Sequence, residues 1–488
     1  MSVTLQCGRH ALIIAEASIL LADMPAIKEC IACKGHSGTM CCPLCANACV
    51  HNSAASAPLH SLCEDVTSIS DISWHAFKKH TDESIRTVVR RINGHHDKYL
   101  ANEMSLDDYE LRSQVLGWNH TAANIALNPR FRLNIASMVM YDWAHVMVHD
   151  GLADVELGMC MKVFYSNRSQ TSFQELGEYV STFTFPKAAP NPTHLFTASA
   201  NLNNSKKNSF SCTGSEFLTI APLVHRYFSR VVAPRGEFMS HVRSLLAVLT
   251  VVMMLMAVRT GTIGHEELNE AILSHLALFI TCYGDGMCRP KTHYVLHLPD
   301  MLRRFGFLLA TFTHERKHRL VTRYTRNRKN LRNWDAGSIE EITCRQFWEL
   351  RQPFFSVCRT AKPRGRMLLP LRELFPAVAD KDFVILNDIS ANGGSINAGD
   401  VVSCVIDGHV QLGELLVTAA AADGPAYSFI SLWQPDPGSK DSDWRNFIVS
   451  REEVTQVPLK SLDTVFTHRM STSRQSCMVF TPFEVRPK

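Results

Sequence analysis

The chain has 488 residues, room for roughly two to four domains and a sizeable core. Apolar residues make up 46% and charged residues 20%, which excludes a wholly disordered chain, a collagen-like fibre and a coiled-coil rod. The 50 basic and 46 acidic side chains leave a net charge of +4, so any affinity for a polyanion has to come from a local patch.

Residues 10–22 (HALIIAEASILLA) read as a buried strand that ends at Asp23, and Pro25 fits the first turn of a following helix. A carboxylate at such a strand end either fixes a divalent cation rigidly or caps the helix. Next come six cysteines within 20 residues: Cys30, Cys33, Cys41, Cys42, Cys45 and Cys49. Sixteen cysteines in the whole chain are too few for a disulfide scaffold, so this crowding predicts reduced thiols or a metal site, and a reducing compartment. Cys42-Pro-Leu-Cys45 is a CxxC knuckle with Cys30-Ile-Ala-Cys33 upstream. The spacing suits tetrahedral zinc, or a thiol-rich turn without metal. Residues 50–73 are polar and read as a loop.

From about 74 to 290 the pattern is mostly helical. The predicted helices run Asp82 to Ile92, Phe131 to Leu157, Phe173 to Phe183, Ser215 to Val232, 239 to 258 and Glu266 to Tyr283, with a loop at 186–207. The apolar run Leu245 to Val258 is shorter than the ~18–20 residues that cross a bilayer, so no membrane span is expected. The N-terminal apolar run carries Glu16 and lacks a signal-peptide cleavage pattern. Asp142-Trp-Ala-His145 places two polar side chains on one helical face, a pattern that a satisfied buried histidine also explains.

Lys291 to Pro299 leads into a helix reaching Phe305, and a basic helix follows from about His314 to Lys329. Glu315 opens it, followed by Arg316, Lys317, Arg319, Arg323, Arg326, Arg328 and Lys329 with no acid among them. Such a stripe follows a phosphate backbone or forms a solvated face. An acid beside it suits metal-dependent phosphodiester chemistry. Residues 351–383 read as a linker, and 384–488 as short strands broken by Gly and Asp turns, a small β-rich domain.

Taken in order, these pieces resemble cut-and-paste DNA transposases of the Kyakuja-Dileera-Zisupton type, related to the CACTA type. The matching blocks are Asp23-Met-Pro-Ala-Ile-Lys, Gly35-His-Ser-Gly, Cys42-Pro-Leu-Cys45, Asp142-Trp-Ala-His145, Ser215-Glu-Phe-Leu, His293-Tyr-Val-Leu-His-Leu-Pro with Phe305-Gly, and Thr313-His-Glu-Arg-Lys-His. They cover about residues 10–330. The resemblance implies an α+β fold: an incomplete RNase H-like core over 1–60, interrupted by a mostly helical insertion over 61–290 and closed by 291–350. It also implies that Asp23 and Glu315 are the second and third catalytic acids, ligating Mg2+ or Mn2+ in two-metal phosphoryl transfer. Cys42 and Cys45 are the expected ligands of Zn2+, with Asp142 and His145 bracing the insertion or adding to that zinc site. The family's first acid lies on a strand upstream of Asp23, so the expectation is an N-terminally incomplete catalytic region, ancestrally capable of DNA cleavage and strand transfer. Double-stranded DNA in the nucleus is the expected partner, with a homo-oligomer as its working form. The alternative is a non-catalytic DNA- or chromatin-binding interaction protein.

Overall fold

The computed structural model describes residues 2–4, 10–12, 18–34, 38–50, 66–122, 124–128, 133–187, 191–197, 209–258, 261–311, 359–361, 383–387, 389–391, 394–421, 426–439, 444–450 and 454–480, with a few positions between them. Helices and strands are mixed, and the chain forms two compact units. Met1–Cys160 with Gly236–Phe312 makes the first, and Met161–Arg235 with Thr313–Lys488 the second.

In the first unit, β1 (Ser2–Thr4) and β2 (His10–Leu12) form an antiparallel pair. The strand predicted over 10–22 is described only as β2 and β3 (Leu20–Ala22), and β3 is half-buried. Two-residue strands β4 (Ala48–Cys49) and β5 (Thr67–Ser68) pair in parallel behind the cysteine turn. β3 runs parallel to β6 (Val139–Tyr141), with Leu20 opposite Val139 and Ala22 opposite Tyr141. This corrects the single helix predicted from Phe131 to Leu157. Val-Met-Tyr, fully buried, breaks it into Ile135–Met138, β6, Trp143–Met147 and Leu152–Ser166.

Both parallel strands run straight into helices capped by an aspartate. Asp23 accepts from the Ala26 amide at 2.8 Å at the start of helix Met24–Ile31, and Asp142 accepts from the Ala144 amide at 2.9 Å. The longer helices follow their caps as well. Asp82–Leu100 opens on a Thr81–Ser84 capping box, and Leu106–Leu116 ends at Gly117, whose φ of 73° only glycine adopts at low cost. Met239–Ala257 packs against His265–Tyr283, and its Val242, Leu245, Leu249 and Val252 are buried. By length and composition alone the former is the one described helix that passes for a membrane span, and more than half of it is buried inside the protein. Beside this bundle, Glu156 and His275 pair at 2.7 Å with both side chains buried.

Asp154, in the first turn of Leu152–Ser166, carries a built-in pH dependence. One carboxylate oxygen accepts from the Asp150 amide at 3.0 Å, and the other is buried without a partner. Burial, then the Asp150 charge, pushes its carboxyl up to about 8. A carboxyl raised above its unfolded value stabilises the folded state below about pH 4, and that contribution is lost as pH rises toward 8. Asp154→Asn is therefore expected to raise the unfolding free energy at pH 8 by on the order of 2–4 kcal/mol and to change it little at pH 4. Denaturant titrations at the two pH values measure this, and an equal effect at both would contradict it.

In the second unit, the C-terminal β-rich region is a curled ten-stranded antiparallel sheet with a separate two-stranded hairpin. Its strands are β7 (Arg359–Ala361), β8 (Phe383–Asn387), β9 (Ile389–Ala391), β10 (Gly394–Ile396), β11 (Val401–Ile406), β12 (His409–Ala421), β13 (Ala426–Pro435), β14 (Trp444–Ile448), β15 (Val454–Pro458), β16 (Leu462–Phe466), β17 (His468–Met470) and β18 (Ser476–Phe480). The order is β16-β11-β12-β13-β14-β18-β17, with β15 on β13, β8 on β12 and β7 on β8, while β9 and β10 form their own hairpin. Asp407-Gly408, both with positive φ, makes the two-residue turn that sets Ile406 opposite His409. Alternation along β11 sends Val402 and Cys404 into one apolar cluster with Leu415 and Ile430, and Val401 into another with Trp433 and Phe447.

Candidate metal centre

The cysteine turn is anchored before any metal is considered. Pro43-Leu44 closes the loop, and the Leu44 amide donates to Cys42 Sγ at 3.4 Å. Ala46 N donates to Lys78 O and His80 N to Leu44 O, both at 2.8 Å, so residues 78–80 clamp the turn from outside. Asn47 reaches Thr67 Oγ1 and Ala76 O, each at 2.9 Å.

The second half of the site comes from the far end of the unit. Helix Pro290–Tyr294 opens on its proline, and the one-turn segment Val295–His297 continues it into Leu298–Phe305. His293 and His297, four residues apart, therefore share one face. His297 Nε2 lies 3.3 Å from Cys42 Sγ, 3.5 Å from Cys45 Sγ and 3.2 Å from His293 Nε2. All four ligand atoms fall within 4.8 Å of one another, and all four residues are buried. A tetrahedron with Zn–S near 2.3 Å and Zn–N near 2.0–2.1 Å has edges of roughly 3.3–3.8 Å. The three distances from His297 Nε2 lie at or near those edges, so the group could hold a metal such as zinc. Four protein ligands with no open position make a structural rather than a hydrolytic centre. Bound there, zinc would supply a rigid cross-link between the cysteine turn and the 290–305 helices.

The electrostatics agree with a ligand set. Burial alone would raise the Cys42 thiol, but the Cys45 hydrogen bond and the imidazoles of His297 and His293 outweigh it and hold Cys42 well below the usual thiol range. Cys45 is driven upward, because its thiol donates that hydrogen bond to Cys42 and because it is buried. Burial lowers His297, keeping the imidazole in its neutral, metal-binding form. Around the tetrad, Tyr141 Oη from β6 lies 3.3 Å from Cys42 Sγ, and Tyr294 Oη donates to Cys41 O at 2.6 Å. Trp74 meets the His297 ring edge-on and Phe77 packs on His293. These partners fix ring and thiol orientation in advance, as outer-shell groups of metal sites do.

The other predicted ligands lie elsewhere. Cys33 donates its thiol proton to Gly117 O at 3.1 Å and Cys30 is exposed, so the second pair of the site is histidine and not Cys30/Cys33. Asp142 and His145 do not join the cysteines. His145 Nδ1 lies 2.5 Å from the Asp142 carboxylate, and the Thr311 hydroxyl donates to the same oxygen. Burial works against the charged Asp142, but those hydrogen bonds prevail and hold its carboxyl below the usual range. Asp23 caps its helix. In register, Asp23 and Asp142 follow the paired Ala22 and Tyr141, so the two acids end adjacent parallel strands. Lys291 lies close enough to both to feel their charge, along with that of Asp150 and Asp154, and donates to His149 O and Asp150 O at 2.7 and 2.9 Å.

Glu315, Arg316, Lys317, Arg319, Arg323, Arg326, Arg328 and Lys329 lie outside the described residues. In the sequence, His293 and His297 stand out only as part of a motif block of the resemblance. Their i, i+4 spacing on a helix was the signal that marks a ligand pair. No family model matches this chain, and no curated protein matches it.

Proposed function

We propose that this chain is a transposase-derived DNA-binding protein of the Kyakuja-Dileera-Zisupton and CACTA kind, with an RNase H-like region pinned by structural zinc. The observation that carries the reading is the meeting of Cys42-Pro-Leu-Cys45 with His293 and His297. Two motif blocks of the resemblance, up to 255 positions apart, supply the two halves of one buried tetrad. Asp23, at the end of β3, is placed as the resemblance expects of an acid at a strand end. In this reading Asp23 and Glu315 belong to the ancestral Mg2+ site, Arg316 to Lys329 follow the DNA backbone in the nucleus, and Asp142 with His145 braces the strand ends.

The test is binding of duplex DNA across a salt series. Wild-type affinity should fall steeply with salt, and Arg319→Glu with Arg323→Glu should weaken binding and lower the log–log slope by about 1.8, two phosphates at roughly 0.9 each. Absence of binding at low salt overturns the reading. Mg2+- or Mn2+-dependent nicking abolished by Glu315→Ala would extend it to catalysis. Binding without nicking selects the non-catalytic form, which the engagement of both Asp23 and Asp142 in helix capping favours.

A further inference from the structure

The second unit carries an arginine cluster over aromatic rings, two of them buried, that the predicted basic helix does not include. Helix Phe173–Ser181 presents Tyr179, and Phe183 follows it. The next residue, Thr184, pairs with His468 of β17 through two backbone hydrogen bonds of 2.8 and 3.1 Å. That pairing brings Arg469 over the Phe183 ring, 5.7 Å from its centroid. From helix Gly214–Tyr227, Arg226 lies 5.2 Å over the ring of Trp444 in β14. Trp444 packs in turn on Phe183 and Phe480. Arg230 follows on the turn Phe228–Val232 and is exposed, as is Arg469.

All three arginine charges act on Tyr179. Burial raises its phenol, and Arg226, Arg469 and Arg230 are the charges that act against it. A phosphate backbone brought to this face would gain from the summed positive potential of the three guanidinium groups. Two of them lie over aromatic rings, so less side-chain freedom is lost when they meet a phosphate. Arg469 and Arg226 come from a strand and a helix far apart in sequence, so the fold and not a local run of basic residues creates the patch.

We propose that Arg226, Arg230 and Arg469, framed by Tyr179, Phe183 and Trp444, form a second contact surface for the phosphate backbone of duplex DNA. The proposal rests on the DNA-binding reading above and names a surface which that reading does not use. It is tested on the full-length chain with a 30-base-pair duplex of arbitrary sequence over a salt series. Arg230→Glu with Arg469→Glu should weaken binding at least about tenfold at low salt and lower the log–log slope by about 1.8. Arg230→Lys with Arg469→Lys should keep most of the slope, and Arg112→Glu, an exposed change on helix Leu106–Leu116, should leave it unchanged. Arg230→Gln with Arg469→Gln guards against a folding defect of the doubly acidic variant, and should lower the slope by the same amount while keeping the wild-type melting curve. An unchanged slope in the glutamine variant, while Arg319→Glu with Arg323→Glu still weakens binding, overturns this surface and leaves the DNA-binding reading standing. A wild-type chain that binds no duplex overturns both.

Discussion

Purified from zinc-containing medium, the chain is expected to carry one zinc per molecule, and His297→Ala or Cys45→Ser to carry none. The effect on stability should be the largest of any single change in the first unit. The two halves of the tetrad sit 252 positions apart between Cys45 and His297, and without the ion the unit must hold four converging polar ligand atoms in a buried space. Zinc bound to the folded state alone contributes its binding free energy to folding, about 10–16 kcal/mol in isolated finger peptides at neutral pH. A larger unit with its own core loses less, on the order of 5 kcal/mol, or roughly 10–20 °C in melting temperature. Elemental analysis and thermal unfolding with and without a strong chelator measure both quantities. Cys30→Ser and Cys33→Ser are the informative controls. Cys30 is exposed and Cys33 is spent on Gly117 O, so both variants should keep their zinc. Zinc retained by His297→Ala but lost from Cys33→Ser would show that the ligands are the two cysteine pairs instead.

The difference between what the sequence disclosed and what it hid follows the range of the interactions. Helix starts were legible because their causes are local. Ser172 caps Phe173–Ser181, Thr213 and Glu216 form a capping box at Gly214–Tyr227, and predicted and observed starts differ by at most one residue for these and for His265–Tyr283. The C-terminal strands were legible for the same reason, since Asp407-Gly408 and runs such as Val401–Ile406 carry their own turn and strand chemistry. β6 was not legible. Its three residues lie within an apolar stretch that suits a helix equally well, and only pairing with β3 settles the choice. In the metal centre, the CxxC half was visible from spacing alone. The histidine half needed the fold, because the i, i+4 spacing of His293 and His297 marks a pair on one face but not the turn some 250 positions earlier to which it returns. Asp142 and His145 were paired correctly by their three-residue spacing, but Thr311 completes their bonding and leaves them no part in the tetrad.

Gly413→Ala is expected to be the corresponding large effect in the second unit. Gly413 lies in β12, buried, opposite Leu432 of β13. A Cβ there would stand 2.3 Å from Ser431 O, 2.9 Å from Ser431 C and 2.7 Å from Ile430 Cγ2. Two of those atoms are backbone in a strand that hydrogen-bonds on both sides, to β12 and to β15, so it cannot move aside without breaking a ladder. The third belongs to Ile430, a fully buried member of the core cluster around Val402 and Leu415. Overpacking usually costs about 1–3 kcal/mol, and a clash with central backbone belongs at or above the top of that range. Expected results are a loss of at least about 3 kcal/mol in the unfolding of the β-rich region and a zinc content that stays at one per chain, because every tetrad residue belongs to the other unit. Circular dichroism during denaturant unfolding, read together with zinc analysis on the same sample, separates these outcomes. An alanine variant as stable as wild type would mean that β12 and β13 are spaced more widely at Gly413 than the register Gly413–Leu432 requires. Gly408→Ala is the useful comparison. Gly408 has φ of 79° but open space around its Cβ position, so its penalty is the conformational one of about 1 kcal/mol and not a steric one.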